Sequence, residues 1–223
     1  MPHAPRPLSP RKGFFITLEG PEGSGKSSQG RWLVRRLRRA GYAVVGLRDP
    51  GSTNLGRALR RILLHRKEDM SALMEALLFI GARVQLVEEH IQPALEQGKI
   101  VVCDRFHDST VAYQGFGAGL DVNWLDALGR RAIRDITPTL TLLLDLPTEQ
   151  GFKRLRHSHD RMERKTRAFH RSVRQGYLQL AKREPKRFMI INAAQPASQV
   201  RAQLEEVVLK YLKCKSFSLV TSH

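Results

Sequence analysis

Gly20, Gly25, Lys26 and Ser27 follow the spacing GxxxxGK(S/T), and that spacing is built for phosphate. Gly20, Gly23 and Gly25 let the backbone turn tightly and aim N–H groups at phosphate oxygens. Lys26 is long enough to reach β- and γ-phosphates, and the Ser27 hydroxyl suits a magnesium ion. Asp104 ends an apolar run, as does the carboxylate that lies beside such loops and helps to hold Mg²⁺. Arg48 and Arg105 also follow apolar runs, and a planar guanidinium suits bidentate contact with phosphate. Each has a neighbouring carboxylate, Asp49 or Asp104, as an alternative ion-pair partner. Their joint placement at predicted strand ends favours the phosphate role.

Other residues form weaker constellations. Phe79 and Arg83 lie four apart on one helix face, where a ring can stack on a base and a guanidinium can bond its edge. The plainer reading is a half-buried ring and a solvated cation. Thr110, Tyr113 and Gln114 make either the polar wall of a pocket or an ordinary helix face. Glu22, inside the loop, must point away from bound phosphate, toward a sugar hydroxyl or into solvent. From Lys153 to Arg174, nine basic residues face two acidic ones. Such a segment either closes over a triphosphate and supplies an arginine, or is a solvated basic helix.

The elements that must position these residues alternate. Apolar β-prone runs at 14–19, 43–48, 100–104, 139–145 and 187–191 read as strands. Helical spacing predicts helices over 26–40, 54–65, 70–91, 123–135, 148–155, 165–182 and 196–212. Pro93 should bend or end the longest of these. Gly115 to Gly119 reads as a glycine-rich connection. This alternation calls for an α/β fold, a five-stranded parallel sheet between helical layers. Ligands should then sit at the carboxyl ends of the strands.

The chain of 223 residues suits one domain. We expect a single catalytic unit over 13–213, a lid at about 153–167, a disordered basic tail at 1–12 and a short tail at 214–223. No apolar run approaches the roughly 20 residues of a membrane span. The N-terminal residues carry four prolines and no apolar h-region, unlike a secretory signal. Cys103 and Cys214 lie far apart, which argues against disulfides or a zinc site and for a reducing, cytoplasmic setting. The formal charge of +17 points to an acidic partner, either nucleotide phosphate or nonspecific nucleic acid. Arg31, Arg35, Arg36, Arg38 and Arg39 contribute to it on the polar face of the first helix.

Taken together, several stretches resemble thymidylate kinases of the P-loop nucleoside monophosphate kinase superfamily. They are the loop at 18–27, Arg48-Asp-Pro-Gly-Ser-Thr53, Leu77-Leu-Phe-Ile-Gly-Ala-Arg83, Asp104 to Gln114, Asp160-Arg-Met-Glu163 and Val173 to Tyr177. The resemblance covers residues 14–212 and implies transfer of the ATP γ-phosphoryl group to dTMP, with Mg²⁺, in a homodimer. It puts Gly20, Glu22, Gly23, Ser24, Gly25, Lys26, Ser27 and Ser28 around ATP, and Ser27 and Asp104 on the metal. It puts Arg48, Phe79, Arg83, Arg105, Ser109, Thr110, Tyr113 and Gln114 around dTMP, with Glu22 facing the deoxyribose. Catalytic cations would be Lys26, Arg105 and a lid arginine, from among Arg154, Arg156 and Arg161 with Arg156 or Arg161 favoured, because Gly23 stands where some relatives carry the arginine in the loop. Asp49, Ser52 and Phe106 depart mildly from the family pattern, and Lys165 and Arg167 depart from it in the lid.

Overall fold

The computed structural model describes residues 13–65, 69–155 and 160–214. Arg156, the expected tail at 1–12 and the residues beyond 214 lie outside the described residues. Five strands form one parallel sheet: β1 (Phe14–Glu19), β2 (Val44–Arg48), β3 (Ile100–Asp104), β4 (Leu140–Asp145) and β5 (Phe188–Asn192). Their order is β2-β3-β1-β4-β5. Every residue of β1 and β3 is buried, as expected of strands covered on both faces.

Alternation within the strands divides the core in two. Phe14, Ile16 and Leu18 pack with Leu33, Val34 and Leu37 of α1 (Lys26–Arg39) and with Leu204 and Val208 of α9 (Ala197–Cys214). Phe15, Val101 and Cys103 face the opposite layer, among Leu86, Ile91 and Leu95. That layer is built from α3 (Ala72–Leu86), α4 (Gln92–Glu96) and the wide π turn Val87–Ile91 that joins them. α2 (Asn54–His65) packs on α3, and α6 (Val122–Ala132) packs further out. α7 (Thr148–Arg154) and α8 (Arg167–Arg183) flank the lid segment. The expected three-layer α/β/α architecture is present.

Two local expectations change. Pro93 does not end the long helix, which continues to Glu96. Proline lacks an N–H and its ring crowds the preceding turn. The π turn Val87–Ile91 sits immediately before it and supplies the looser winding. The glycine-rich segment is likewise helical up to Gly117. A short α5 (His107–Thr110) runs into a second π turn, Val111–Gly117. Its glycines serve packing: a Cβ at Gly117 would meet Phe169 at 2.7 Å, and one at Gly176 of α8 would meet Phe116 at 2.6 Å. The two helices thus approach through reciprocal glycines.

Register places the site. Leu18 pairs with Asp104 and Asp104 with Arg48, so β1, β3 and β2 end side by side. The phosphate loop, Asp104-Arg105 and Arg48-Asp49 therefore emerge together.

Candidate active site

The loop between β1 and α1 is shaped by close contact. Gly20, Gly23 and Gly25 all have positive φ. A Cβ at Gly23 would lie 2.3 Å from the Gly151 carbonyl oxygen of α7, so no side chain fits there. Lys26 is buried and donates to the Pro21 carbonyl at 2.7 Å and to Ser24 Oγ at 3.2 Å. Burial, joined by the charge of Arg105, pulls its pKa down to about 8. Ser28 is exposed and its hydroxyl turns back to the Gly25 carbonyl.

Ser27 Oγ donates to Asp104 Oδ2 at 2.5 Å, which brings both expected metal ligands together. The other oxygen, Asp104 Oδ1, is buried without a hydrogen-bond partner. No cluster of three or more His, Cys, Asp or Glu suited to a metal occurs among the described residues. One hydroxyl and one carboxylate fit Mg²⁺, which usually binds through one or two protein ligands plus phosphates and water.

Beside the loop opens a pocket whose empty space, counted out to its open mouth, is about 630 Å³. Glu22, Arg48, Phe79, Arg83, Arg105, Ser109, Thr110, Tyr113 and Gln114 all line it. The expected acceptor residues are thus gathered from four separate parts of the chain.

Arg105 stands where pocket and loop meet. Its φ is 68°, in the left-handed region that side chains seldom adopt. Nη1 donates to Gly20 O, Ser109 Oγ and Tyr177 Oη; Nη2 donates to Glu22 Oε1 at 2.7 Å and Tyr113 Oη at 3.0 Å. Glu22 also accepts from Tyr113 Oη at 2.6 Å. Burial alone would raise the Glu22 pKa, but Arg105, Lys26 and the Tyr113 hydrogen bond outweigh it and bring it to about 2. Glu22 is therefore a firmly ionised carboxylate that points into the pocket rather than at open solvent.

Arg83 is almost fully buried rather than solvated. Nε donates to Asp49 Oδ2 at 2.6 Å and Nη2 to Thr110 Oγ1 at 2.9 Å, while Nη1 is buried without a partner. Asp49 thus pairs with Arg83, and burial raises its pKa despite that cation. Arg48 pairs only loosely with Asp104, at 3.7 Å, and its side chain is half exposed. Arg60 adds a third cation to the wall beside Arg48 and Arg105, and its pKa is lowered by burial and by those two charges.

The lid arginines are placed unevenly. Arg161 does not join Lys26 and Arg105. Its Nε donates to the Leu63 carbonyl and its Nη2 bonds Glu75, which also accepts from Gln114. Arg154 donates to the carbonyls of Ala193 and Ala194. Arg171 and Arg174 pair with Glu149 and Asp145, and Lys165 and Arg167 lie over the Phe169 and Phe152 rings. Most of the basic stretch is thus internally engaged.

Sequence reasoning assigned no role to Glu19, Glu75 or Tyr177. Glu19 and Tyr177 fell within matched stretches. The spacing of Glu75 to Phe79 and Arg83, one turn each, was the available signal for Glu75.

Comparison with known proteins identifies the family. The family model described as thymidylate kinase matches residues 18–204. Thymidylate kinase of Deinococcus radiodurans is 45% identical over 195 residues, covering 86% of this chain and 95% of that protein. That of a Synechococcus species is 48% identical over 195 residues, covering 87% and 94%. The crystal structure of thymidylate kinase from Ehrlichia chaffeensis superposes with a TM-score of 0.71 at 34% identity, over 88% of this chain and 98% of that one. With the family model matching most of the chain and relatives at this identity over most of their length, the chain belongs to the thymidylate kinase family.

Proposed function

We propose that this protein transfers the γ-phosphoryl group of ATP to dTMP, giving ADP and dTDP. One observation carries the reading: Arg105 touches the phosphate loop through Gly20 and Glu22 while lining the neighbouring pocket, so one cation spans donor and acceptor sites.

The phosphate loop holds the ATP phosphates on its amides and the N-terminus of α1. Lys26 exchanges its loop carbonyl for β- and γ-phosphate oxygens. Mg²⁺, held by Ser27 and Asp104, neutralises charge on the phosphates when bound. Arg48 and Arg105 bind the dTMP phosphate, and Arg60 adds positive field beside them. Phe79 stacks on thymine, and Arg83 bonds the base edge. Ser109, Thr110, Tyr113 and Gln114 line the base and sugar, and Glu22 accepts from a deoxyribose hydroxyl. The attacking phosphate oxygen is already an anion, so positioning and charge stabilisation carry the chemistry. With Gly23 unable to bear a side chain, the lid supplies the further cation. Arg154 and Arg161 are engaged elsewhere, so we assign that role to Arg156. No helix among the described residues is long and apolar enough to cross a membrane, which is compatible with the cytoplasmic setting we expect.

The test is ADP release from ATP with each nucleoside monophosphate in turn. dTMP should be the preferred acceptor, and Lys26→Ala should abolish turnover. Preference for another monophosphate, or full activity of the Lys26 variant, would count against the assignment.

A further inference from the structure

Glu19 ends β1, one residue before the phosphate loop, with a relative exposure of 0%. Its carboxylate accepts three hydrogen bonds. Oε1 takes the backbone N–H of Phe106 at 2.7 Å; Oε2 takes Ser109 Oγ at 2.6 Å and Tyr177 Oη at 3.0 Å. Those same hydroxyls accept from Nη1 of Arg105, each at 3.1 Å, and lie 2.8 Å apart. Two short relays therefore run from guanidinium N–H through a hydroxyl to the carboxylate. The third bond grips the amide that follows Arg105, the residue with positive φ.

A buried carboxylate with no cation in direct contact is an expensive group to keep. Burial and the nearby charge of Asp108 push the Glu19 pKa up to about 7, against the hydrogen bonds from Ser109 and Phe106 and the charge of Arg105. Its location explains what it does. It is not among the residues that line the pocket, and it reaches the two things that set the direction of the Arg105 side chain: the backbone turn, through Phe106 N–H, and the guanidinium, through the Ser109 and Tyr177 hydroxyls.

We infer that Glu19 is a positioning residue for Arg105, fixing the strained turn through Phe106 and the guanidinium plane through Ser109 and Tyr177, so that Arg105 meets the acceptor phosphate already aimed. This rests on the pocket being the dTMP site. Charge-assisted relays of this kind stiffen a cation more than a neutral contact does. Preorganised donors stabilise developing charge without reorganising during the reaction. Tyr177 belongs to α8, so the aim of Arg105 also depends on the helix that follows the lid segment.

The experiment uses the full chain and compares Glu19→Gln and Tyr177→Phe with wild type. Its readouts are KM for dTMP, KM for ATP, kcat and Tm. Gln keeps the size of the side chain and an acceptor for Phe106 N–H, but loses the charge that Glu19 carries above its pKa of about 7, so the assays are run above that pH. We expect kcat/KM for dTMP to fall by about tenfold or more, the effect of one charge-assisted hydrogen bond. KM for ATP should stay within about twofold. Tyr177→Phe keeps the ring, cuts one relay, and should show the same split at smaller size. In an Arg105→Lys background Glu19→Gln should add less than about twofold, because both changes act on one group.

A Glu19→Gln enzyme with lowered Tm but wild-type kinetics, or a fully additive loss with Arg105→Lys, would overturn the proposal. Should Glu19→Gln fail to fold, Tyr177→Phe decides: unchanged kcat/KM for dTMP overturns it. A wild-type chain that does not phosphorylate dTMP overturns the functional reading as well. Active wild type with unaffected variants overturns this inference alone.

Discussion

Glu22 is the residue whose ionisation the structure constrains most clearly. Its folded pKa of about 2 lies below the ordinary 4.5, because Arg105 and Lys26 outweigh the effect of burial. The sign follows from proton counting. The unfolded chain binds the proton first, so ionised Glu22 stabilises the fold fully above pH 4.5, and that contribution disappears as pH falls through 2. Its ceiling is about 3 kcal/mol, from the size of the shift. Glu22→Gln should therefore differ most from wild type near neutrality, and the two stability curves should draw together from about pH 4.5 downward and meet only as pH falls through about 2. Urea unfolding across that range checks it; parallel curves would mean that the Glu22–Arg105 pair stabilises little.

Residue by residue, the sequence was readable where one side chain faces one ligand. The phosphate loop, Asp104, Arg105 and Phe79 fall where spacing placed them. It was unreadable where a side chain serves another side chain. Arg83 lies buried against Asp49, although helical spacing alone favoured solvent. Arg161 bonds Glu75 instead of facing the loop. Such pairings join positions 34 and 86 residues apart, and no local pattern announces them.

At the scale of elements, the site depends on how closely helices approach. Gly176 of α8 faces Phe116, whose Cβ and ring atoms lie within 2.7 Å of where a Cβ would stand. The near atoms belong to the base of that side chain, so a rotamer change does not clear them. Gly176→Val should therefore destabilise the protein by about 1–3 kcal/mol through overpacking. For a chain of this size that is a drop in Tm of several degrees, about 2–4 °C per kcal/mol. Thermal unfolding measures it, and an unchanged Tm would show that the helices can part at no cost. The strands were legible almost to the residue because buried parallel strands are continuous apolar runs. The two π turns were not, since an extra residue per turn leaves the apolar pattern nearly intact. Pro93 was the only hint of the first, and Gly115 and Gly117 suggested a loop where packing against α8 makes a helix.

For the whole molecule, two surfaces stand out. The basic excess is partly structural: Arg187 pairs with Asp108 and Glu184, Arg130 with Asp126 and Glu184, and Arg36 with Glu205. Arg31, Arg35 and Arg39 remain exposed, and Arg31 and Arg35 line a groove that also reaches Ser27, Arg48 and Asp104. The apolar surface is more telling. Leu73, Met74 and Leu77 are each more than 40% exposed on one face of α3, the helix that carries Phe79 and Arg83. Exposed apolar clusters mark interfaces, and we propose that this one would meet a second copy of the chain. Met74→Glu should convert a dimer to a monomer in sedimentation experiments at micromolar concentration. A wild-type protein already monomeric there would remove the assignment.

The level ends of β1, β3 and β2 also bear on how the enzyme comes into being. β3 lies between two strands that both precede it in the chain, and those two share no ladder of their own. A nascent polypeptide that has emerged only through β2 holds the whole phosphate-loop sequence and Arg48, and α1 already packs on β2, yet the ladders that bring the ends of β1 and β2 level are missing. The level rim on which donor and acceptor phosphates would meet is therefore complete only once the middle strand has joined both neighbours.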